Sequence, residues 1–577
     1  LPNPQLISLI DLFMQYEGSR LFVERAAAVK SDFTLTERNV LSIAQVCQRL
    51  DGMPLAIELA AARVKMMSVG EIARRLDDRF DLLTGGSRTA LPRHQTLRAT
   101  IDWSYNLLTE PEQLLFRRLA VFAGGFSLEA SETVCGQSKL KQSDILNLLG
   151  RLLDKSLMIV EMSPTKSKTR YRLLETIREY AYEKLSRSGE LKTICLQHLR
   201  FFADMVSEAE RNFKGPDQSI WYNRLDDELD NLRVALTWFE GIDHAETRLH
   251  FAAGLWRYWK NRGQIGEGLG HLHRVLESLP SGPARQTSAY ARALTAAGSL
   301  AYYVADFHFS AQARKEALAI FRSLDDKVGV ADCLNGLGNT ALSQGDYDSA
   351  RNFYEEGLTI RKELPDKWGV ARLLGNLGLL AYFQLDFGKA QSLDLESLGM
   401  FKELGDDEGV ASVLNNLGDV VRHQGELSIA HSFYEQSAAI SRKLMDQWGL
   451  AYALLGTADV AREQGDLSRA SSIYKECLVM FQKGTDHVGL PFALESVSAL
   501  MIAKDQLKKS AQIFGVADAL RKNTNSPLPL PNLASYQKNI SILQEKLDGS
   551  EFDAAWQEGL TMTVAQAIEF ALKETGE

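Results

Sequence analysis

Apolar residues recur at helical spacing on both sides of a turn in the segment 331–369. The apolar positions of its two halves are Leu334, Leu337 and Ala341, then Ala350, Tyr354 and Leu358. Gly345-Asp346 interrupts the run between them, as glycine and aspartate do in tight turns. The pattern predicts a helix, a turn, a second helix and a loop.

This unit recurs every 40 residues from residue 291 to the early 490s, which is visible in three phased columns. The columns are Leu294, Leu334, Leu374, Leu414, Leu454 and Leu494; Asp326, Asp366, Asp406, Asp446 and Asp486; and Gly329, Gly369, Gly409, Gly449 and Gly489. A single helix pair cannot bury its apolar face alone, so repeated pairs must stack on their neighbours. The sequence therefore predicts an α-solenoid.

The order of leucine, leucine-glycine, alanine, then G-D, alanine and an aromatic resembles the tetratricopeptide repeat, over residues 285–515. The resemblance implies a superhelix whose first helices form a groove for a peptide or a protein. The groove residues that it implies are Asn335, Asn339, Arg372, Asn376, Asn415, Asp419, Arg422, Tyr452, Asp459 and Arg462. Asparagine amides offer a peptide backbone both a donor and an acceptor. The alternative is that these side chains are merely solvated.

The amino-acid composition indicates the number of domains and excludes some classes of function. The 577 residues are 45% hydrophobic and 24% charged, which fits two or more globular domains. A net charge of −9 argues against a surface devoted to nucleic-acid phosphates. The five cysteines are far apart and show no metal-binding spacing, so we expect reduced thiols, no metal site and a cytoplasmic protein. No apolar run reaches the ~20 residues that cross a bilayer, and we expect no membrane association.

The first 190 residues have a different pattern. Helical periodicity stops at Asp51-Gly52-Met53-Pro54 and resumes at Leu55, with glycine closing one helix and proline opening the next. Further amphipathic helices follow from residue 97 onwards. The apolar runs 157–160 and 171–174 flank a polar link, which predicts two strands after three helices and hence a winged helix.

This block resembles the second half of the switch module of signal-transduction ATPases with numerous domains, the class that includes NB-ARC proteins and bacterial LuxR- and SARP-type regulators. The matching segments are RLFVERA (20–26), LDGMPLAIELAAARV (50–64), TLRATIDWSYNLL (96–108), LFRRLAVFAGGFSLEASE (115–132) and YRLLETIREYAYEKL (171–185). The resemblance implies that Gly52, Met53 and Pro54 contact the adenine of ADP or ATP. An isolated G-x-P could also be a helix corner with no ligand.

The parts that hold phosphate and magnesium in that family are missing. The sequence contains no G-x-x-x-x-G-K-[ST], and no strand ending in paired acidic residues precedes Gly52. We therefore expect a fragment or a truncated gene product without catalytic residues, which binds no cofactor by itself and does not hydrolyse ATP. The intact parent would use ATP or ADP with magnesium. The histidine that some relatives place in the winged helix corresponds here to Leu174, which leaves Glu175 or Arg178 as substitutes.

Four basic residues without an acidic neighbour suggest a DNA-binding wing, namely Lys166, Lys168, Arg170 and Arg172. The predicted recognition helix, 144–155, is however dominated by leucine. We therefore do not expect DNA binding through this chain.

The predicted organisation has five parts. They are a helical domain at 1–95, a winged helix at 96–190, degenerate helical repeats at 191–284, tetratricopeptide repeats at 285–515 and a helical cap at 516–577. Within the cap, the Ser526–Pro531 run predicts an extended spacer before three helices. The fold class is mainly α.

We expect a signalling protein whose solenoid binds a protein or peptide and controls a nucleotide switch, with self-association on activation. A scaffold that uses no nucleotide is the first alternative. A LuxR- or SARP-type transcription regulator, with its DNA-binding module outside this chain, is the second.

Overall fold

The computed structural model describes residues 14–30, 33–50, 52, 54–75, 97–161, 169–238, 244–484 and 487–575. Two compact units are present. One contains residues 1–202 and 228–238, and the other contains residues 203–227 and 239–577. The segment 191–284, predicted as one bridge, is thus shared between the units.

The first unit is mainly helical. Its helices are Glu17–Val29, Glu37–Arg49, Pro54–Ala62, Val69–Arg75, Leu97–Asn106, Glu110–Arg118, Leu128–Cys135, Gln142–Asp154, Glu175–Arg187, the start of Leu191–Asn212, and Leu229–Thr237, with 3-10 turns at Arg63–Lys65 and Leu119–Val121. The interruption predicted at Gly52 is confirmed, because one helix ends at Arg49 and the next begins at Pro54. Gly52 has a φ of +70°, the left-handed conformation that glycine adopts without strain.

The first unit also contains one small sheet of three short strands. They are β1 (Phe126–Ser127), β2 (Ile159–Glu161) and β3 (Arg170–Arg172), arranged antiparallel in the order β1-β3-β2. The predicted strands were wrong in extent, since Leu157-Met158 and Leu173-Leu174 lie outside them. β1 was missed because two residues after Gly124-Gly125 are too few to show an alternating pattern.

The structure corrects the basic wing at Arg170. Its side chain is buried and forms an ion pair with Glu228, and it also donates to the carbonyl oxygen of Gly125 over 2.9 Å. Arg172 pairs with Glu161 at 2.8 Å. Lys166 and Lys168 lie outside the described residues. Arg170 therefore stabilises the first unit from within and is not available to a DNA phosphate.

The second unit begins with the end of Leu191–Asn212 and continues as helix pairs. The helices before the repeats are Gln218–Asp227, Ala245–Gly254, Trp256–Asn261 and Ile265–Glu277, followed by the 3-10 turn Pro283–Arg285. The first helices of the pairs are Ser288–Tyr303, Lys327–Ser343, Lys367–Phe383, Asp407–His423, Gln447–Glu463 and Leu490–Ala503. The second helices are Phe307–Ser323, Tyr347–Lys362, Phe387–Leu404, Leu427–Leu444, Leu467–Gly484 and Leu507–Thr524. The predicted mainly α class with a solenoid is confirmed.

Three helices follow the repeats, namely Leu530–Lys546, Gly549–Thr561 and Val564–Thr575. Ala567, Ile568 and Ala571 of the last helix join the core of the final repeats. The predicted spacer is shorter than expected, because the first of these helices already begins at Leu530. Pro531 fits its first turn, where no backbone N–H is required.

At the start of several first helices, the phased aspartate and the phased glycine have separate roles. Asp326, Asp366 and Asp406 accept hydrogen bonds from the backbone N–H three residues later, over 2.9, 2.9 and 2.7 Å. These contacts are N-caps. A Cβ on Gly329 would lie 2.5 Å from the ring of Phe321, and one on Gly409 would lie 2.4 Å from Phe401. The glycine therefore allows each helix to approach the preceding one.

A second set of positions 40 residues apart lies on the second helices and packs inside each helix pair. Most of these positions hold an aromatic residue, and two do not. Tyr354 and Tyr434 are buried against Gly338 and Gly418. The same column places a tyrosine at 474 and a phenylalanine at 514, but Arg314 and Asp394 replace the aromatic residue elsewhere. Asp394 is fully buried, and burial raises its pKa to about 8.

This buried carboxyl predicts a pH-dependent stability. An unfolded aspartate ionises near 4 whereas Asp394 ionises near 8 in the fold, so the native state holds an extra proton between these values. The contribution of Asp394 is thus fully present below about pH 4 and is lost as pH rises towards 8, by about 1.4 kcal/mol per pH unit. Asp394→Asn should remove this part of the slope, as measured by urea unfolding at several pH values.

The control is Asp348→Asn, which changes an exposed aspartate in the preceding repeat. It should keep the pH dependence of the unaltered chain. An unchanged slope in Asp394→Asn would show that the buried carboxyl does not titrate in this range.

Candidate functional site

A cavity of about 340 Å³ lies along the first helices of the early repeats, within the second unit. Asn335 and Asn339 lie on one first helix, and Arg372 and Asn376 lie on the next. Because residues four apart lie on the same side of a helix, each pair presents both side chains on one face. With Asn415, these are the five predicted groove residues that line the cavity.

The asparagines bond to one another across neighbouring repeats. Asn376 donates through Nδ2 to Oδ1 of Asn335 over 2.8 Å and to Oδ1 of Asn339 over 3.1 Å. Tyr354 donates its hydroxyl to Asn339 over 2.8 Å. A ligand thus meets amides that are already oriented, and Oδ1 of Asn415 is buried without a hydrogen bond among the described residues.

The other five predicted groove residues do not line the cavity. They are Asp419, Arg422, Tyr452, Asp459 and Arg462. Asp419 and Asp459 accept hydrogen bonds of 2.6 Å from Tyr434 and Tyr474. Two cations pair with Asp459, and Tyr452 packs on a tryptophan with ring centroids 4.5 Å apart. In these repeats the polar face forms an internal network.

The sequence analysis predicted Arg372 but missed the tryptophan and the other cations of the cavity. Trp368 lies at the centre, with Lys214 Nζ at 4.6 Å, Arg257 Cζ at 4.7 Å and Arg372 Cζ at 4.6 Å from its ring centroid. Such distances fit cation–π contacts. Lys214 and Arg257 precede the repeats and carry no signal of the 40-residue period, although the tryptophans beside Arg257 mark a helix with an aromatic face.

Residues that precede the repeats form hydrogen bonds with the residues around the starts of two first helices, Asp407–His423 and Gln447–Glu463. Gln218 donates to Oδ1 of Asp406 over 2.8 Å and accepts from the backbone N–H of Glu408 over 3.1 Å. Arg262 donates to the carbonyl oxygens of Leu444 and Met445 over 2.8 and 3.2 Å. These contacts hold in place one wall of the cavity, which is formed by residues that precede the repeats, including Lys214, Trp256, Arg257 and Lys260.

Charge is balanced locally within that wall. Lys260, which is 5% exposed, lies 3.0 Å from Glu408 Oε1 and 3.4 Å from Asp446 Oδ2. Burial alone would lower the pKa of Lys260, but Asp446 and Glu408 raise it above its usual range. Burial would likewise raise the pKa of Asp332, but Arg372 and Arg361 hold it well below the usual value.

The residues implied to contact adenine are only partly described. Gly52 donates its N–H to the carbonyl oxygen of Cys47 over 3.1 Å, and Pro54 is exposed at the start of its helix. Met53 lies outside the described residues.

The two substitutes for the missing histidine contact each other. Arg178 Nη2 lies 2.6 Å from Oε1 of Glu175 and Nε lies 2.9 Å from Oε2, so the guanidinium holds the carboxylate with two bonds. Arg178 also donates to the carbonyl oxygen of Ala120 over 3.4 Å.

Across the described ranges, no cluster of three or more histidine, cysteine, aspartate or glutamate side chains is arranged to hold a metal ion. None of the helices in the described part of the chain combines the length and apolar character that a bilayer crossing requires.

The family model for the tetratricopeptide repeat matches residues 289–363 and 369–443. A Mycobacterium tuberculosis protein named "putative HTH-type transcriptional regulator" is 40% identical over 323 residues, which cover 55% of this chain and 36% of that protein. An uncharacterized protein of the same species is 42% identical over 188 residues, 32% of this chain and 47% of its own length. The chain therefore spans between about a third and half of the length of these relatives.

Solved structures are similar at low identity. A signal transduction ATPase with numerous domains and a tetratricopeptide repeat sensor, from Pyrococcus horikoshii, has a TM-score of 0.44 and 15% identity, covering 97% of this chain and 74% of its own. The Rap conjugation gene regulator of the plasmid pLS20, in complex with the Phr* peptide, has a TM-score of 0.42 and 15% identity, covering 56% and 96%.

Removing the cation of the wall should destabilise the second unit. Lys260→Gln leaves two neighbouring carboxylates without their cation, and breaking a buried pair in this way costs about 3 kcal/mol. We expect a lower urea midpoint at pH 7. The control is Lys367→Gln, whose pair with Glu403 at 3.7 Å has both side chains 71% exposed and should contribute almost nothing. Equal midpoints for the two variants would contradict the role assigned to Lys260.

Proposed function

We propose that the chain is the sensing part of a regulatory protein, in which the solenoid cavity binds a segment of a peptide or protein. The observation that carries the proposal is the lining of the cavity, where oriented amides, guanidinium groups and an indole meet in one concave site. Such mixed linings suit a ligand that offers both backbone amides and side chains. The repeat family and the regulatory name of the mycobacterial relative support the same class of function.

The regulated element in this proposal is a nucleotide switch in a longer protein. The resemblance of residues 1–190 to the NB-ARC-like module supports it, with Gly52, Met53 and Pro54 beside the adenine and the phosphate-binding core supplied by residues outside this chain. Ligand binding in the cavity would favour release of the winged helix from the ADP-bound core, which permits exchange and self-association. The chain itself has no catalytic role in this scheme.

Differential affinity sets the strength of such a switch. A ligand shifts the equilibrium only to the extent that it binds one state more tightly. A tenfold preference corresponds to about 1.4 kcal/mol, whereas a shift from 1:99 to 99:1 needs about 5.5 kcal/mol. Several contacts along the first helices must therefore differ between the two states.

A transcription regulator is a second candidate. The observation that favours it is the helix-turn-helix named for the relative, of which this chain matches only 36%. The DNA-binding module would then lie outside this chain, since Arg170 of the proposed wing is buried in an ion pair. A scaffold without nucleotide remains the alternative in which only the solenoid acts.

The peptide-binding role is tested with the 577-residue chain and a random octapeptide display library. Enriched peptides, labelled and measured by fluorescence anisotropy, should bind Asn376→Ala about tenfold more weakly than the unaltered chain, because the oriented amide is lost. Asn352→Ala, on the exposed face of a second helix, is the matched control and should leave affinity unchanged. Failure to enrich any peptide, or equal binding by both variants, would refute a peptide site here.

The nucleotide role is tested in a longer protein that carries the upstream coding sequence. Replacing Gly52, Met53 and Pro54 with alanine should raise the dissociation rate of labelled ADP severalfold, because the adenine loses its apolar contact. Lys65→Ala, an exposed change in the same helical region, should not alter that rate. Identical ADP retention by both variants would rule out the adenine assignment.

A further inference from the structure

Arg314 is a buried cation without a carboxylate partner among the described residues. Only 4% of it is exposed, and it lines the cavity at the column position that holds tyrosine in other repeats. Its Nη2 donates to Ser299 Oγ over 3.2 Å and its Nη1 to Ser310, while its Nε has no hydrogen-bond partner in the described structure. Burial lowers its pKa to about 10, so it remains charged at neutral pH.

Space for this guanidinium is built into the neighbouring helix. A Cβ on Gly336 would lie 2.0 Å from Arg314 Nε and 2.6 Å from Cδ, so only glycine accommodates the arginine. The guanidinium of Arg314 keeps its proton at neutral pH, and an uncompensated buried charge costs several kcal/mol of stability. Its electrostatic complement has to come from another group.

Two more cations of the cavity differ in how nearby carboxylates compensate their charge. Lys214 forms no ion pair in the described parts of the chain and rests on Trp368. The guanidinium of Arg257 lies 3.9 Å from Glu408, beyond hydrogen-bond distance, and that carboxylate also pairs with Lys260 at 3.0 Å. Burial would lower the pKa of Arg257, but attraction from Glu408 and Asp406 raises it, so this cation is compensated at longer range. Burial lowers the pKa of Lys214, and repulsion from Arg257 and Arg372 lowers it further.

The fourth cation shares its partner. Arg372 lies 2.5 Å from Asp332 Oδ1, and Arg361 lies 2.7 Å from the same oxygen. Repulsion from Arg372 also lowers the pKa of Arg314, which places these groups in one electrostatic cluster. Arg361 also pairs with Asp366, whereas Asp332 is the carboxylate that Arg372 contacts.

We propose that the cavity recognises a carboxylate group of an acidic peptide, seated among Lys214, Arg257, Arg314 and Arg372 beside the indole of Trp368. This inference rests on the proposed peptide-binding function and specifies its ligand. Guanidinium groups bind carboxylates through paired, charge-assisted hydrogen bonds. Five carboxyl side chains also line the cavity and oppose a ligand of higher charge, which favours a carboxylate over a doubly charged phosphate; they are Glu210, Asp332, Asp406, Glu408 and Asp446. The asparagine amides then face the peptide backbone.

The test uses the 577-residue chain and a fluorescein-labelled tetraglutamate peptide in 150 mM salt. Because the chain carries a net charge of −9, non-specific attraction of this probe is disfavoured. Tetraglutamate should bind at least about tenfold more tightly than amidated tetraglutamine or tetralysine. Unlabelled tetraglutamate should displace it, whereas free glutamate and inorganic phosphate should need much higher concentrations. Displacement by either small anion at the peptide's concentration would overturn the peptide as the source.

Two variants locate the site. Arg257→Gln should weaken tetraglutamate binding about tenfold. The matched control Arg322→Gln, whose arginine is 55% exposed and paired with Glu356, should bind like the unaltered chain. Equal binding by both variants would place any binding elsewhere and overturn the proposal.

Arg314→Met separates a ligand-binding role from a structural one. Methionine removes the uncompensated charge and fills the same space, so the urea midpoint without ligand should rise while tetraglutamate binding is lost. A lower midpoint with unchanged binding would identify Arg314 as a structural residue and overturn its assignment. If library peptides bind in an Asn376-dependent manner without enrichment of acidic residues, this inference fails and the proposed function stands.

Discussion

Close approach between consecutive helices is the constraint on which the solenoid depends. In two repeats the distance is set where the first helix begins, because Gly329 and Gly409 leave no room for a side chain against Phe321 and Phe401. The aspartate three residues earlier caps the same helix. Backbone satisfaction and helix spacing are thus specified by one four-residue segment, and its repetition every 40 residues keeps neighbouring pairs in the same register.

Departures from the repeat are concentrated where the solenoid acquires polar chemistry. The tyrosine column places Arg314 in the pair that borders the cavity, and Asp394 two repeats later. Each substitution costs stability relative to an aromatic residue, because each buries a polar group. A charged residue at a position shaped for tyrosine is a local inconsistency, and such inconsistencies are expected at functional sites. The cavity lining at Arg314 fits that expectation.

Periodicity predicted the helices well because apolar spacing and turn residues are local signals. The interruption at Gly52 and the 40-residue register of the helix pairs could be recognised from residues within a few turns of each other. The cavity could be predicted only in part. Asn335 and Asn376 lie on successive first helices, on the groove side that the resemblance to a repeat family implies. Lys214 and Arg257, however, reach Trp368 across more than 100 positions. Contacts of that kind follow from tertiary packing and leave no trace in periodicity. The burial of Arg170 was missed for the same reason, since Glu228 is 58 residues away.

The wall formed by residues that precede the repeats determines how the cavity can respond to a ligand. Lys260, Gln218 and Arg262 hold this wall to the loops before successive first helices, so the cavity is bounded by contacts between segments far apart in sequence. A ligand that pairs with Arg257 must compete with the attraction of Glu408 for that cation. Glu408 also neutralises Lys260, so a change at Arg257 alters the electrostatics of the attachment itself. Ligand binding and attachment of the wall therefore share a common carboxylate, which gives the solenoid a physical means of coupling occupancy of its cavity to the position of the helices before it.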